Sequence, residues 1–352
     1  MRLAVLDLGS NTFHLLLSEV DASGRIAKLG SFKQTLRLGA EIPLGGVIEE
    51  PQWRRAMDAI DEILTLGKPF ECRTLAVATS VFREAANGSA FVEGVRMRFG
   101  LPVDLLTSTE EARLSYLGAI SELPASRGPI AVIDVGGGSI QFTVGEGERC
   151  LLATSLPLGV LRLCETAAAK TLDARVAASV MAEVLRREAK AVADAITELR
   201  PVSVVFASGT ARTIASLPLL DAYEKTPPPR RADPPQGPLV ATRVTRAGVR
   251  GLGAALIGLD AATLTGLGVP ADRQPTAGPG ALVLETLMDL IGVEEATIAT
   301  RALREGVIVR ALRAVRLWRR GELTQNELQN PAMLVVKDLL RGIDAHPGAD
   351  LA

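Results

Sequence analysis

The 352-residue chain has only two histidines, His14 and His346. That count excludes a zinc hydrolase built on several imidazole ligands, and any proton relay that needs more than one well-placed imidazole. Three cysteines stand at 72, 150 and 164 with no paired spacing. A disulfide framework and a cysteine-based zinc site are both unexpected, and a reducing compartment fits. No charge-free apolar stretch reaches the roughly 18 residues that a membrane span needs. The first residues read straight into a strand, without a basic leader, so the sequence predicts a cytoplasmic protein. Lys and Arg number 39 against 40 Asp and Glu. This balance gives no global basic signature, so neither nucleic acid nor a membrane surface is an expected partner. Asp, Glu, Gly and Arg are left to carry the chemistry, and oxygen-only ligands point to a hard ion such as Mg²⁺.

What the chain does contain is a repeated object. "LAVLDLGSNTFHL" runs from Leu3 to Leu15 and "IAVIDVGGGSIQF" from Ile130 to Phe142. Each is an apolar run, one Asp, a glycine-rich turn and another apolar run. The length suggests two domains, and 47% apolar content can bury a sizeable core. The first half reads as strand, tight turn at Gly9–Asn11, and strand Thr12–Val20. A helix over 52–66 follows, then a strand over 74–80, with a helix beginning at Arg83. After these come a strand over 103–107 and a helix from Glu110 to Ser121. Two prolines and a glycine in 124–129 mark the best boundary. Beyond it lie strands over 130–135 and 140–145, a third apolar run, a helix over 173–198, and a strand–turn–helix over 203–216. The proline-rich stretch 225–238 reads as an exposed loop, and helical patterns fill the rest. The expected domains are therefore 1–123 and 124–303, with C-terminal helices over 304–352 packing back on the first. Two α/β halves of this kind are expected to face a central cleft.

A glycine-rich turn bares backbone N–H groups and can cradle an anion. Gly9, Ser10, Asn11 and Thr12 form one candidate nest, and Gly136, Gly137, Gly138 and Ser139 another. Asp7 and Asp134 precede them. A carboxylate cannot bind phosphate directly, but it can hold a Mg²⁺ that does; equally, each acid could be an ordinary turn residue. Ser208, Gly209 and Thr210 form a third small-residue turn that suits phosphate binding or simple helix capping. Glu110 and Glu111 begin a helix. Ser108-x-x-Glu111 matches a capping box, which local sequence favours over a general base. Arg83, Arg37 and Lys33 are candidate phosphate clamps. The arginines of 301–320 read as the solvated side of a helix, with a polyanion track as the minority reading.

Taken in order, the two nests, "EEARL", "ASGT" and the late "ALREGV" resemble the exopolyphosphatase and guanosine pentaphosphate phosphohydrolase family, part of the acetate and sugar kinase, heat-shock and actin superfamily. The resemblance runs from Met1 to about Arg310. It implies two ribonuclease-H-like (actin-like ATPase) domains and hydrolysis of a terminal phosphoanhydride by water. It also implies Glu111 as catalytic base, and phosphate contacts from Gly9 to Thr12, from Gly136 to Ser139, from Arg83, and from Ser208 to Thr210. Asp134 and Asp7 become the metal residues, Mg²⁺ the cofactor, and a homodimer the expected assembly. Where the family usually has Glu, this chain has Gln141, which can orient water but lacks the charge to hold metal. The chain resembles the short form of the family, without the long members' extra C-terminal helical domain. The implied substrate is inorganic polyphosphate, with guanosine pentaphosphate as the runner-up. Gln141 also feeds a rival reading as a non-catalytic sensor; a superfamily kinase is a weaker one.

Overall fold

The computed structural model describes residues 1–322 apart from 22, 44, 218–219 and 221–240. The loop expected over 225–238 and the residues from 323 on, His346 included, lie outside the described residues. The chain forms two compact units, Met1–Leu114 together with Leu303 onward, and Ser115–Ala302. The first division falls inside a helix, ahead of the proline-marked boundary.

The first unit is built on β1 (Arg2–Leu8), β2 (Thr12–Val20), β3 (Ile26–Thr35), β4 (Arg73–Ala78) and β5 (Val103–Leu105), in the order β3-β2-β1-β4-β5. β1, β2 and β3 form an antiparallel meander, and β4 and β5 run parallel to β1. The near-continuous apolar run of β1 suits a strand covered on both faces. One face carries Leu6, Leu8, Phe13 and Leu15 against Met57, Ile60 and Ile63 of α2 (Glu50–Gly67), which follows the short α1 (Leu38–Glu41). α3 (Ser80–Glu84) and α4 (Gly88–Phe99) follow β4, and α5 (Ser108–Ile120) follows β5. Arg83 thus lies near the end of α3 rather than opening a helix.

The second unit repeats the plan. β6 (Ile130–Val135), β7 (Ile140–Glu146) and β8 (Arg149–Leu156) form the meander; α6 (Val160–Ala168) and α7 (Ala174–Glu198) follow. β9 (Ser203–Ala207) lies parallel beside β6. After α8 (Gly209–Ser216) come β10 (Thr242–Thr245), α9 (Arg246–Leu256), α10 (Ala261–Gly266), α11 (Gln274–Ile291) and β11 (Glu295–Ile298). The sheet order is β10-β11-β9-β6-β7-β8. The α/β architecture is therefore two sheets of one pattern. The repeat extends to register: Asp7 pairs with His14 across β1 and β2, and Asp134 pairs with Gln141 across β6 and β7.

The chain then returns to the first unit as α12 (Leu303–Arg319). Leu303, Val307, Ile308 and Val315 pack on Leu3, Val5 and Leu16, the face that also bears Asp7. In the second unit, Tyr116 and Ala119 of α5 pack on Ile130 and Val132, the face that bears Asp134.

Candidate functional site

The first loop is held by the backbone of residues 36–39 and by α3. The Asn11 carbonyl accepts the N–H groups of Leu36 and Arg37, and the Ser10 carbonyl accepts that of Gly39. The Ser10 hydroxyl lies 2.6 Å from the Ser80 hydroxyl and accepts the Val81 N–H at 3.2 Å. It is therefore committed to the start of α3. Arg37 is exposed, with a left-handed φ of 56°, and Lys33 is exposed on β3.

Asp7, expected to hold metal, is paired with an arginine. Its carboxylate accepts from Arg304 Nη1 at 3.0 Å, with side chains 13% and 14% exposed. Burial raises the Asp7 pKa above its ordinary value, against the pull of Arg304. Arg304 and Arg310 were both expected on a solvated helix face. Instead Arg310 reaches Asp104 at 2.8 Å, and Asp104 is 4% exposed. Arginines spaced through an apolar helix look alike in sequence whether they face water or a buried acid, so the period alone hid these two.

The start of α5 separates its two acids. Thr107 donates to Glu110 Oε2 through its N–H at 2.9 Å and its hydroxyl at 2.6 Å, while the Glu110 N–H returns to Thr107 Oγ1 at 3.2 Å. This is a reciprocal capping box, one residue earlier than the Ser108–Glu111 box read from the sequence. Glu111 is left out of it. Its Oε2 accepts from Arg83 Nη1 at 3.1 Å, and the same nitrogen donates to the Leu106 carbonyl at 2.7 Å. Glu111 is 8% exposed. Among the described residues, Nε and Nη2 of Arg83 have no acceptor. The guanidinium thus holds a carboxylate and a backbone carbonyl with one corner.

In the second loop, the carbonyls of Gly136, Gly137 and Gly138 accept from the N–H groups of Val160, Leu161 and Gly159. A trans peptide points its N–H opposite to its carbonyl. The N–H groups of Gly137, Gly138 and Ser139 therefore turn away from α6, as an anion nest requires. Gly159 permits this docking, because a Cβ there would stand 2.3 Å from the Gly137 carbonyl carbon. Asp134 accepts from the Ser115 hydroxyl at 2.6 Å. Gln141 is 3% exposed and donates to Ser139 Oγ at 2.6 Å. One carboxylate with a neighbouring amide is not a metal cage, and the described residues contain no cluster of three or more metal-ligating side chains. Such a donor set fits a Mg²⁺ that completes its shell with water and phosphate oxygens.

The third turn caps a helix. Ser208, at φ 146°, caps α8 by accepting the Ala211 N–H at 2.9 Å. Thr210 is 6% exposed and packs on α11 at Gly280. Gly209 leaves room for Arg273, whose Nη2 would lie 2.6 Å from a Cβ there. Arg273 was not anticipated, since nothing in its local sequence sets it apart. The same holds for Ser80 and Ser115, short polar residues on helices.

Both units share a 3-2-1-4 core of strands, an antiparallel meander with a parallel strand beside its first, and a glycine turn after each first strand, which together define a doubled α/β fold. The family model for the Ppx/GppA phosphatase family matches residues 17–315. The chain is also 33% identical over 314 residues to Exopolyphosphatase 1 of Mycobacterium tuberculosis, covering 89% of this chain and 88% of that protein. The chain belongs to the Ppx/GppA phosphatase family. A guanosine-5'-triphosphate,3'-diphosphate pyrophosphatase of Vibrio parahaemolyticus is 23% identical over 328 residues, 93% of this chain but 61% of its own length. The fold matches the crystal structure of an exopolyphosphatase from Cytophaga hutchinsonii with a TM-score of 0.75 at 22% identity, over 89% of this chain and 98% of that one. It matches an Aquifex aeolicus family member with a TM-score of 0.72 at 24% identity, over the same shares. Among the described residues, no helix is long and apolar enough to cross a membrane.

Proposed function

We propose that this chain is an exopolyphosphatase that hydrolyses the terminal phosphoanhydride of inorganic polyphosphate and releases orthophosphate. The observation that carries the reading is Glu111, a buried carboxylate outside the helix cap and fixed by Arg83. A pure binding module has no use for such a group. The 33% identity to a protein named Exopolyphosphatase 1 supports polyphosphate as the substrate.

In this mechanism Glu111 accepts a proton from water as the water oxygen bonds to the terminal phosphorus. The bridging P–O bond breaks, and the shortened chain leaves with its electron pair. Arg83 holds Glu111 through Nη1 and meets a phosphate oxygen through Nε and Nη2. The outward N–H groups of Gly137, Gly138 and Ser139 stabilise charge on a phosphate, a preorganised arrangement that needs no rearrangement during the step. Gly9, Ser10, Asn11 and Thr12 serve a second phosphate in the same way. Mg²⁺ bound at Asp134 would supply neutralisation of the phosphate charge. Lys33 and Arg37 are exposed and enter no step.

Guanosine pentaphosphate is the second reading, favoured by the Vibrio parahaemolyticus relative. The test is phosphate release from long-chain polyphosphate and from guanosine pentaphosphate, with Mg²⁺, by wild type and Glu111→Gln. Release from polyphosphate that falls by about 10²–10⁴ in the variant supports the reading, that being the range for loss of a general base. Release from the nucleotide alone transfers the mechanism to the second substrate. Binding of either ligand without release would make the chain a sensor.

A further inference from the structure

Asp134 accepts a neutral hydroxyl from Ser115. Asp7 accepts a guanidinium, Arg304 Nη1, at 3.0 Å. We propose that Arg304 is the built-in cation of the first phosphate loop: it excludes a divalent ion from Asp7, and it contacts the substrate's phosphate itself. The inference rests on the phosphohydrolase reading for its ligand.

Three observations carry it. First, the Arg304 side chain is only 14% exposed, beside an acid 13% exposed, so the pair is held in place rather than solvated. A cation that shares a carboxylate with a guanidinium at this range would meet strong like-charge repulsion with little water between them. Second, Arg304 uses one nitrogen in this pair. Its Nε is buried without an acceptor, and Nη2 has none among the described residues. Through Nη1 the guanidinium is held at Asp7, the residue whose strand leads into Gly9–Thr12. A phosphate oxygen arriving at that loop is an acceptor for Nη2, which is not shut in as Nε is. Third, Arg304 opens α12, whose apolar side is anchored by Leu303, Val307 and Ile308 in the first unit's core. The guanidinium therefore reaches Asp7 from a rigid support. Glu305 is the other charged group acting on Asp7, and it is acidic.

The test uses the full-length chain with two probes, tripolyphosphate affinity measured by calorimetry and Mn²⁺ affinity measured by spin resonance of the free ion. Arg304→Met is expected to weaken tripolyphosphate binding by about tenfold or more, and Arg304→Lys to recover part of it as a point charge. Asp7→Asn is expected to leave Mn²⁺ affinity within about twofold of wild type, since a lost carboxylate ligand would cost about tenfold or more. Unchanged tripolyphosphate affinity in a folded Arg304→Met protein would overturn the contact. Mn²⁺ affinity that falls tenfold in Asp7→Asn would overturn the exclusion. If Arg304→Met does not fold, the neutral pair Asp7→Asn with Arg304→Gln replaces it, with the same expected loss. A wild type that neither binds nor cleaves any phosphate chain would overturn the proposed function itself, a different outcome from intact binding that ignores Arg304.

Discussion

Glu110 and Glu111 are neighbours in sequence with opposite employments. Thr107 takes Glu110 into the helix cap, and Arg83 takes Glu111. Two patterns, Thr107-x-x-Glu110 and Ser108-x-x-Glu111, fit the same capping rule, so sequence could not choose between them; the choice is made by where β5 ends and by Arg83 arriving from α3. Thr107→Ala should therefore lower stability by about 1 kcal/mol, the usual value of an N-cap, in a denaturant titration, and leave the rate of phosphate release nearly intact. A large loss of rate would mean that the cap also aims Glu111. Gln141 was legible as a departure from the family, but its burial and its bond to Ser139 were not. Gln141→Glu keeps this geometry, because the Ser139 hydroxyl can turn to donate. A full negative charge near a divalent ion should lower the Mg²⁺ concentration for half-maximal activity by about tenfold or more. An unchanged Mg²⁺ titration would remove residue 141 from the metal's surroundings.

At the scale of elements, legibility followed apolar pattern. β1, β2, β6 and β7 are runs of buried apolar residues and were readable as strands. β3 was not, because most of Ile26–Thr35 is exposed edge without an apolar alternation. β10 and β11 span four residues each and were absorbed into expected helices. α12 was readable as a helix but not as one pinned by two buried ion pairs. Asp104 shows what that pinning costs. Burial pushes its pKa up more than Arg310 pulls it down. A carboxyl whose folded pKa is raised contributes stability that is full below its ordinary pKa of 3.8 and is lost as pH rises through the folded value. The unfolding free energy of wild type relative to Asp104→Asn should accordingly fall as pH rises above about 4, by at most about 1.4 kcal/mol per pH unit for one proton. A difference that is flat or grows with pH in calorimetric scans would contradict this balance.

At the scale of the molecule, the repeat was the most legible feature, since two Asp–glycine turns on apolar strands leave few alternatives to two similar sheets. The first unit is nonetheless assembled from two distant pieces of chain. Leu303, Val307, Ile308, Ala311, Leu312 and Val315 complete its core. Each Leu, Val or Ile side chain is worth about 1.5–3 kcal/mol when buried, and the five of them here rival the roughly 5–15 kcal/mol of a whole domain. A protein ended after Ala302 should therefore keep a folded second unit and lose the first, seen as selective proteolysis of Met1–Leu114; resistance across both units would show that α12 is dispensable. The same discontinuity sets an order of events on the ribosome. Residues 1–114 emerge first but cannot finish folding until the segment from Leu303 has been made, roughly ten to forty seconds later at ordinary rates of synthesis. Through that interval the half of the molecule made first waits with Leu3, Val5 and Leu16 uncovered by α12, and the half made second reaches its last residue, Ala302, only as the interval closes.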